Sequence, residues 1–293
     1  MDEAGGALLE ARSGQVGASR REEMRLTIFA ATGGIGRQLL EQAVAAGHRV
    51  TAVVRDPAKL AREFRIVAAD RAVPNVNALA PAATATTDRR AVRHRVGPPD
   101  HVTAGERAAE DPAAELRAVA ADLTAADRAA LDLAVDGADA VLSAFGPRSA
   151  SEIGIAAQGT RAIVDVMQAT GVRGIVVVSS APVSTVSSPG RPEPPSRDPS
   201  DGFFMHHAQP FAEALGKRYA DLALIEDVFR ESDLGTVVRP PQLTDGPLTG
   251  RFRKAYGTNL RHRLRVSRAD VAHCMLRALE QPEAIKQTIG NAN

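Results

Sequence analysis

The run Ala30-Ala31-Thr32-Gly33-Gly34-Ile35-Gly36 places three glycines within four positions. Glycine lets a backbone turn tightly, approach a ligand closely and seat a helix hard against a strand. If such a run joins a strand to a helix, the first-turn amides and the helix dipole face an anion, and a pyrophosphate fits there. Further on, Arg55 and Lys59 stand one helical turn apart. In a dinucleotide site the end of the second strand meets the adenosine ribose. An Asp or Glu there accepts from the 2′-hydroxyl, whereas a cation suits a 2′-phosphate, to which a guanidinium can donate through two N–H groups. Asp56 comes one residue late and reads as the start of the following helix. The pattern implies a site for NADP(H) in preference to NAD(H), held by Thr32, Gly33, Gly34, Ile35, Gly36, Arg55 and Lys59.

The elements needed to position these residues are present. Residues 25–31 (RLTIFAA) read as a buried strand. Ile35, Leu39, Leu40, Ala43 and Val44 then recur at helical spacing until Gly47. Residues 49–54 (RVTAVV) make a second strand. A strand, a helix and a strand in so short a span form a βαβ unit with parallel strands. Residues 70–112 break the rhythm with five prolines and no aromatic residue, and read as a disordered insertion. Strands follow at 116–120, 138–144, 174–179 and 235–239, with a helix after the first that runs to about Val135, and others at 155–170 and 209–231. Ser267 with Asp270 resembles a capping box opening a last helix, whose apolar side carries Val271, Met275 and Leu279. This is an α/β pattern: a doubly wound, mostly parallel Rossmann sheet. It forms one domain over residues 24–293, after a disordered tail at 1–23 that is an appendage or the product of an upstream start codon. Residues 181–208 and 242–266 would form a small substrate-side lobe.

Composition narrows the function classes. Of the 293 residues 44% are hydrophobic and 24% charged, enough for a core. Aromatics are 3%, with no Trp, too few for a surface that stacks single-stranded nucleic acid. The net charge of +1 gives no field drawing the chain to nucleic acid or membranes. Cys274 stands alone, which excludes an internal disulfide. Residues 1–23 lack an apolar signal core, and the longest aliphatic run, 175–178, is far below the roughly 20 residues of a membrane span. These features describe a cytoplasmic protein with no membrane or nucleic-acid partner. The seven histidines show no metal-ligand spacing, and no G-x-S-x-G elbow occurs. The basic run Arg251, Arg253, Lys254, Arg261, Arg263, Arg265 and Arg268 reads as a solvated loop, with a phosphate-bearing substrate as the second reading. A substrate contact is a further reading for His206 and His207.

AATGGIG (30–36), VVRDPAKL (53–60), AADLTAAD (120–127), GADAVLSAFGP (137–147), GIVVVSSAPV (174–183) and RESDLGTVVRPPQLTDGP (230–247) together resemble the atypical short-chain dehydrogenase/reductases of the NmrA-like, NAD(P)H-binding group. That group includes flavin/biliverdin-IX-beta reductases. The likeness spans residues 24–69 and 115–290. It implies that Asp122 and Leu123 border the adenine and that Ala144, Phe145 and Gly146 lie along the ribose and nicotinamide. It also implies that Ser179 and Ser180 end a strand beside the nicotinamide, with Pro240 and Pro241 closing the other side. One departure bears on catalysis. Short-chain dehydrogenases carry Tyr-x-x-x-Lys, in which the Lys lowers the Tyr pKa for proton transfer. Here Ala223 stands four residues after Tyr219, and Tyr219 falls on the apolar stripe of its helix.

The sequence therefore leads to an NADPH-dependent oxidoreductase that passes hydride to a flavin, quinone-like or other conjugated small-molecule acceptor. Ser180 is its candidate catalytic residue, and it needs no metal. The alternatives are a non-catalytic NAD(P)-binding redox sensor, or a sugar-nucleotide epimerase or dehydratase.

Overall fold

The computed structural model describes residues 22–62, 116–123, 127–147, 152–194, 209–232, 234–260 and 265–293. Most of the expected tail, the expected insertion at 70–112, His206, His207, Arg261 and Arg263 lie outside the described residues. In chain order the elements are β1 (Arg25–Phe29), α1 (Gly34–Ala45), β2 (Arg49–Val54), β3 (Leu116–Ala120), α2 (Arg128–Val135), β4 (Ala140–Ser143), α3 (Ile155–Thr170), β5 (Gly174–Val178), α4 (Gln209–Ser232) and β6 (Thr236–Arg239). They are followed by β7 (Gln242–Thr244), β8 (Arg253–Tyr256), β9 (Arg265–Ser267), α5 (Arg268–Leu279) and β10 (Thr288–Ala292).

Eight strands form one sheet in the order β3-β2-β1-β4-β5-β6-β10-β8. Every neighbouring pair is parallel except β8 against β10. Chain order reverses between β1 and β4, so the carboxyl ends of those two strands flank a crevice. The sheet is covered on both faces, which explains the unbroken aliphatic run of β5. One core joins the sheet to α1 and α5, through Leu39, Leu40, Ala43, Val271 and Met275. The other joins it to α2, α3 and α4, through Leu131, Ile163, Met167, Ile225 and Phe229. Consecutive β1 residues divide between them: Ile28 enters the first and Phe29 the second. Fully burying one such side chain contributes about 1.5–3 kcal/mol.

The structure trims and corrects several expectations. β1 stops at Phe29 because Ala30 turns into the left-handed region, φ 57°. β6 begins after Gly235, at φ 84°. The segment 242–266 is not wholly a separate lobe. β7 and β9 do pair apart from the main sheet, but β8 joins that sheet as its antiparallel edge. The basic run is therefore not one solvated loop. Arg253 and Lys254 lie on an edge strand, where cations discourage pairing with another chain, Arg265 lies on β9, and Arg268 opens α5.

The N-cap half of the predicted capping box forms: the Ser267 hydroxyl accepts from the Asp270 N–H at 3.0 Å. Asp270 does more than cap. Fully buried, its carboxylate accepts from the N–H and hydroxyl of Thr249 (2.9 and 2.8 Å), the N–H of Gly250 (2.9 Å) and the amide of Asn293 (2.9 Å). It thereby ties the loop after β7 and the chain end to α5. Burial alone would raise this carboxyl, but the hydrogen bonds from Asn293, Thr249 and Gly250 outweigh it and hold the pKa below its ordinary value. A depressed carboxyl stabilises the fold above the unfolded value, near pH 3.9, and loses that contribution as pH falls. Asp270→Asn should destabilise the chain by about 2–3 kcal/mol at pH 7 in urea unfolding. The gap from the wild type should narrow below about pH 4; a gap that stays constant to pH 3 would contradict the depressed carboxyl.

Candidate functional site

The glycine run leaves a helix N-terminus in an arrangement that could hold an anion. α1 begins at Gly34 with Gly33 as its N-cap, and it has no side-chain cap and no acid in its first turn. By contrast, Asp127 caps α2 and Ser267 caps α5. First-turn amides of a helix have no partner within it, so those of Gly34, Ile35 and Gly36 are left for a ligand. The Gly33 N–H is spent on the Ala30 carbonyl at 2.9 Å. Gly36 sits so close to the end of β1 that a Cβ would run into the Ala30 carbonyl oxygen and come within 2.9 Å of Ala31 Cα. No other residue fits there.

Beside this turn lies a solvent-open cleft, about 570 Å³ counting the open solvent at its mouth, walled by the carboxyl ends of the first four strands. Thr32 and Ala30 line it after β1, Arg55 after β2, Asp122 and Leu123 after β3, and Phe145 and Gly146 after β4. Glu152, Ile155 and Ala156, at the start of α3, close it. Gly159 lets Phe145 and Leu123 settle on α3, since a Cβ there would fall 2.8 Å from the Phe145 ring. The Arg55 guanidinium, more than half exposed, lies 3.5 Å from the Glu152 carboxylate. Sequence reasoning missed Glu152, which is far from Arg55 in the chain and belongs to no motif. Asp56 accepts from the N–H groups of Ala58 and Lys59 (2.9 and 3.1 Å), the helix-starting role expected of it. Lys59 itself is exposed and does not line the cleft.

The other predicted residues sit at the ends of β4, β5 and β6. The Ala144 N–H donates to the Phe29 carbonyl at 3.2 Å. The Ser179 N–H donates to the Val238 carbonyl (2.8 Å) and the Ala181 N–H to the Pro240 carbonyl (2.9 Å), which brings Ser180 and Pro240 together. The two serines differ. The Ser179 hydroxyl is buried and donates to Glu226 at 2.7 Å, so its side chain is directed into the core rather than the cleft. Ser180 is half-buried and opens the 3₁₀ turn Ala181–Thr185. Glu226 also accepts from Arg239 Nε at 2.8 Å, and a second Arg239 nitrogen pairs with its other oxygen. This buried pair too went unread, because its partners stand on different elements.

Tyr219 packs against the core of α2–α4, and burial, ahead of an opposing effect from Arg218, raises its phenol above the ordinary value. Ala223, at the position of the missing Lys, is buried. Cys274 is buried with its thiol pushed up to about 12, unsuited to nucleophilic work. Among the described residues, no group of three or more His, Cys, Asp or Glu could hold a metal, and no helix is long and apolar enough to cross a membrane.

A family model described as NAD(P)H-binding matches residues 30–101 and 82–282. The chain belongs to this NAD(P)H-binding family. The fold has many solved counterparts. A Streptococcus pneumoniae TIGR4 protein, provisionally assigned as an NADH-flavin reductase, shares 19% identity over 92% of this chain and 99% of its own, with a TM-score of 0.57. The anaerobilin reductase ChuY from Escherichia coli O157:H7 shares 18% over 92% and 96%, at 0.57. A short-chain dehydrogenase/reductase from Veillonella parvula DSM 2008 shares 14% over 93% and 95%, at 0.59. At such identities the likeness is one of fold, a Rossmann sheet.

The residues at the crevice fit the cofactor class of the NAD(P)H-binding family. The uncapped α1 terminus and the bare Gly36 could seat a pyrophosphate, and the cleft beside Arg55 could receive the adenosine end of such a cofactor. The turn carries one strained position. Ala30 holds φ 57°, where a side chain costs about 1–2 kcal/mol and glycine costs little. Ala30→Gly should stabilise the chain by about 0.5–1 kcal/mol after glycine's larger unfolded-state entropy is counted. Urea unfolding would read this as a higher midpoint at unchanged slope; a lower midpoint would show that the Ala30 methyl packs usefully.

Proposed function

We propose that the chain is an NADPH-dependent oxidoreductase that delivers hydride to a flavin, quinone-like or other conjugated small-molecule acceptor in the cytoplasm. This reading rests on one juxtaposition: a glycine-built, uncapped helix terminus at one end of the cleft and the Arg55 guanidinium at the strand end where a 2′-phosphate would lie. The amides of Gly34–Gly36 would hold the pyrophosphate, with Thr32 at the turn. Asp122 and Leu123 would border the adenine, and Ala144, Phe145 and Gly146 the ribose. Arg55 would turn from Glu152 to the 2′-phosphate, with Lys59 adding positive charge nearby. The nicotinamide, when bound, supplies the hydride. The chain's own contribution is placement, with Ser180 and Pro240 flanking the reacting face and the apolar Phe145 limiting water. Ser180 would orient or polarise the acceptor, since the Ser179 hydroxyl is committed to Glu226.

The missing Tyr-x-x-x-Lys favours a second reading, a redox sensor that binds NAD(P) without turnover. The fold of a flavin-reductase-like neighbour, and an acceptor that needs no strong protein acid, favour the enzyme. NADPH oxidation followed at 340 nm against a panel of flavins and quinones separates the two: turnover with any acceptor supports the enzyme, whereas tight NADPH binding with none supports the sensor.

Two substitutions test the assigned residues. Arg55→Asp should weaken NADPH by about 1.5–3 kcal/mol, the loss of a charge-assisted hydrogen bond, and NADH much less. Equal loss for both would show that Arg55 does not read the phosphate. Ser180→Ala should lower kcat about 10- to 1,000-fold with cofactor affinity unchanged. An effect below about threefold would mean that stacking on the nicotinamide suffices and that Ser180 has no catalytic role.

A further inference from the structure

Gly34 opens α1 two residues after Thr32, which lines the cleft, and the group lying against it comes from a distant part of the chain. A Cβ on Gly34 would fall 2.7 Å from Cδ and 2.8 Å from Nε of Arg268, the first residue of α5. The aliphatic stem of that arginine thus crosses the bare Cα of the first helical residue of α1. Its guanidinium carbon lies 3.9 Å from that Cβ position, at the start of α1. The side chain is 31% exposed, so the charged head lies at the rim rather than in the core. Its partner, Asp245, is 91% exposed and can be left at little cost. The two glycines are bare for different reasons. Gly36 makes room for backbone, whereas Gly34 makes room for an arginine, which a methyl group would push aside.

We propose that Arg268 is a pyrophosphate-binding residue of the dinucleotide site. Its guanidinium leaves Asp245 and donates to a phosphate oxygen resting on the amides of Gly34–Gly36. A fixed fork of N–H donors suits that task, and the oxygen it meets is already oriented by the helix terminus. The Asp245 pair keeps the arginine near the turn while the site is empty. This inference rests on the reading of the cleft as an NADPH site and adds to it a cation that serves NADH and NADPH alike, in contrast to Arg55.

The test is calorimetric titration of the full chain with three probes. NADPH carries both the pyrophosphate and the 2′-phosphate, ADP-ribose carries the pyrophosphate alone, and adenosine 2′-monophosphate carries only the 2′-phosphate. Arg268→Met keeps a stem over Gly34 and removes the donors. It should weaken NADPH and ADP-ribose about tenfold, and leave adenosine 2′-monophosphate within twofold. Arg268→Lys should recover part of the loss, and Asp245→Asn should tighten NADPH about twofold by removing the competing carboxylate. If Arg268→Met folds poorly, Gly34→Ala replaces it, since it displaces the arginine while keeping the amides, and the same selective loss is expected. Unchanged ADP-ribose affinity in the variant, or equal loss of all three probes, would overturn the role of Arg268. Absence of NADPH and ADP-ribose binding in the wild type would overturn the NADPH reading itself.

Discussion

The contact between Gly36 and the Ala30 carbonyl governs the architecture of the site. β1 lies at the reversal of strand order, with β2 on one side and β4 on the other. For a ligand to meet helix amides there, α1 must start directly over the end of β1, within the four residues 30–33. The chain achieves this by turning Ala30 into a left-handed conformation, closing the Gly33 N–H onto the Ala30 carbonyl, and seating a Cβ-free residue on that carbonyl. Any side chain at position 36 would push the helix outward. The first-turn amides would then no longer share one crest with Arg55, Asp122 and Phe145.

The rest of the crest is positioned by buried polar groups, while the layers below it are held by apolar packing. Glu226 and Arg239 form a buried pair with the Ser179 hydroxyl, linking α4 to the ends of β5 and β6. Taking such charges out of water offsets most of their attraction, so the pair's main effect is geometric: it holds two strand ends and a helix in one register. Asp270 does the corresponding work at α5, gathering donors from the loop after β7 and from Asn293. Placing hydrophobic bulk in the sheet layers and directional bonds at the ligand-facing edge suits a site whose task is alignment rather than acid–base chemistry.

How much of this could be read without coordinates depended on whether a signal was local. β1, α1 and β2 were readable because strand and helix periodicities flank a glycine run whose chemistry is specific. The aliphatic runs of β4 and β5 were equally plain. β10 was not, because Thr288–Ala292 contains Gly290 and the buried Asn291, a pattern that resembles a turn. Its burial comes from pairing with β6 and β8 and from the close approach of Asn259 to Gly290. β8 hid for the opposite reason, since its charges suggest solvent whereas an edge strand tolerates them. At the site, the glycine turn and the strand-end residues were legible. Glu152 and Glu226 were not, and Arg268 was read only as one member of a basic run, because each meets a residue from a distant element, and one sequence carries no mark of that pairing.

The central claim is that the backbone amides at the start of α1 receive the phosphates of a nicotinamide dinucleotide. Amide-resolved NMR of the full chain during an NADPH titration tests it most directly. The account predicts that the Gly34, Ile35 and Gly36 amide resonances shift along one saturable curve, together with those of Thr32, Arg55 and Asp122 around the cleft. Resonances of Gly34–Gly36 that stay fixed while NADPH binds elsewhere, or that stay fixed at saturating NADPH and NADH alike, would contradict it.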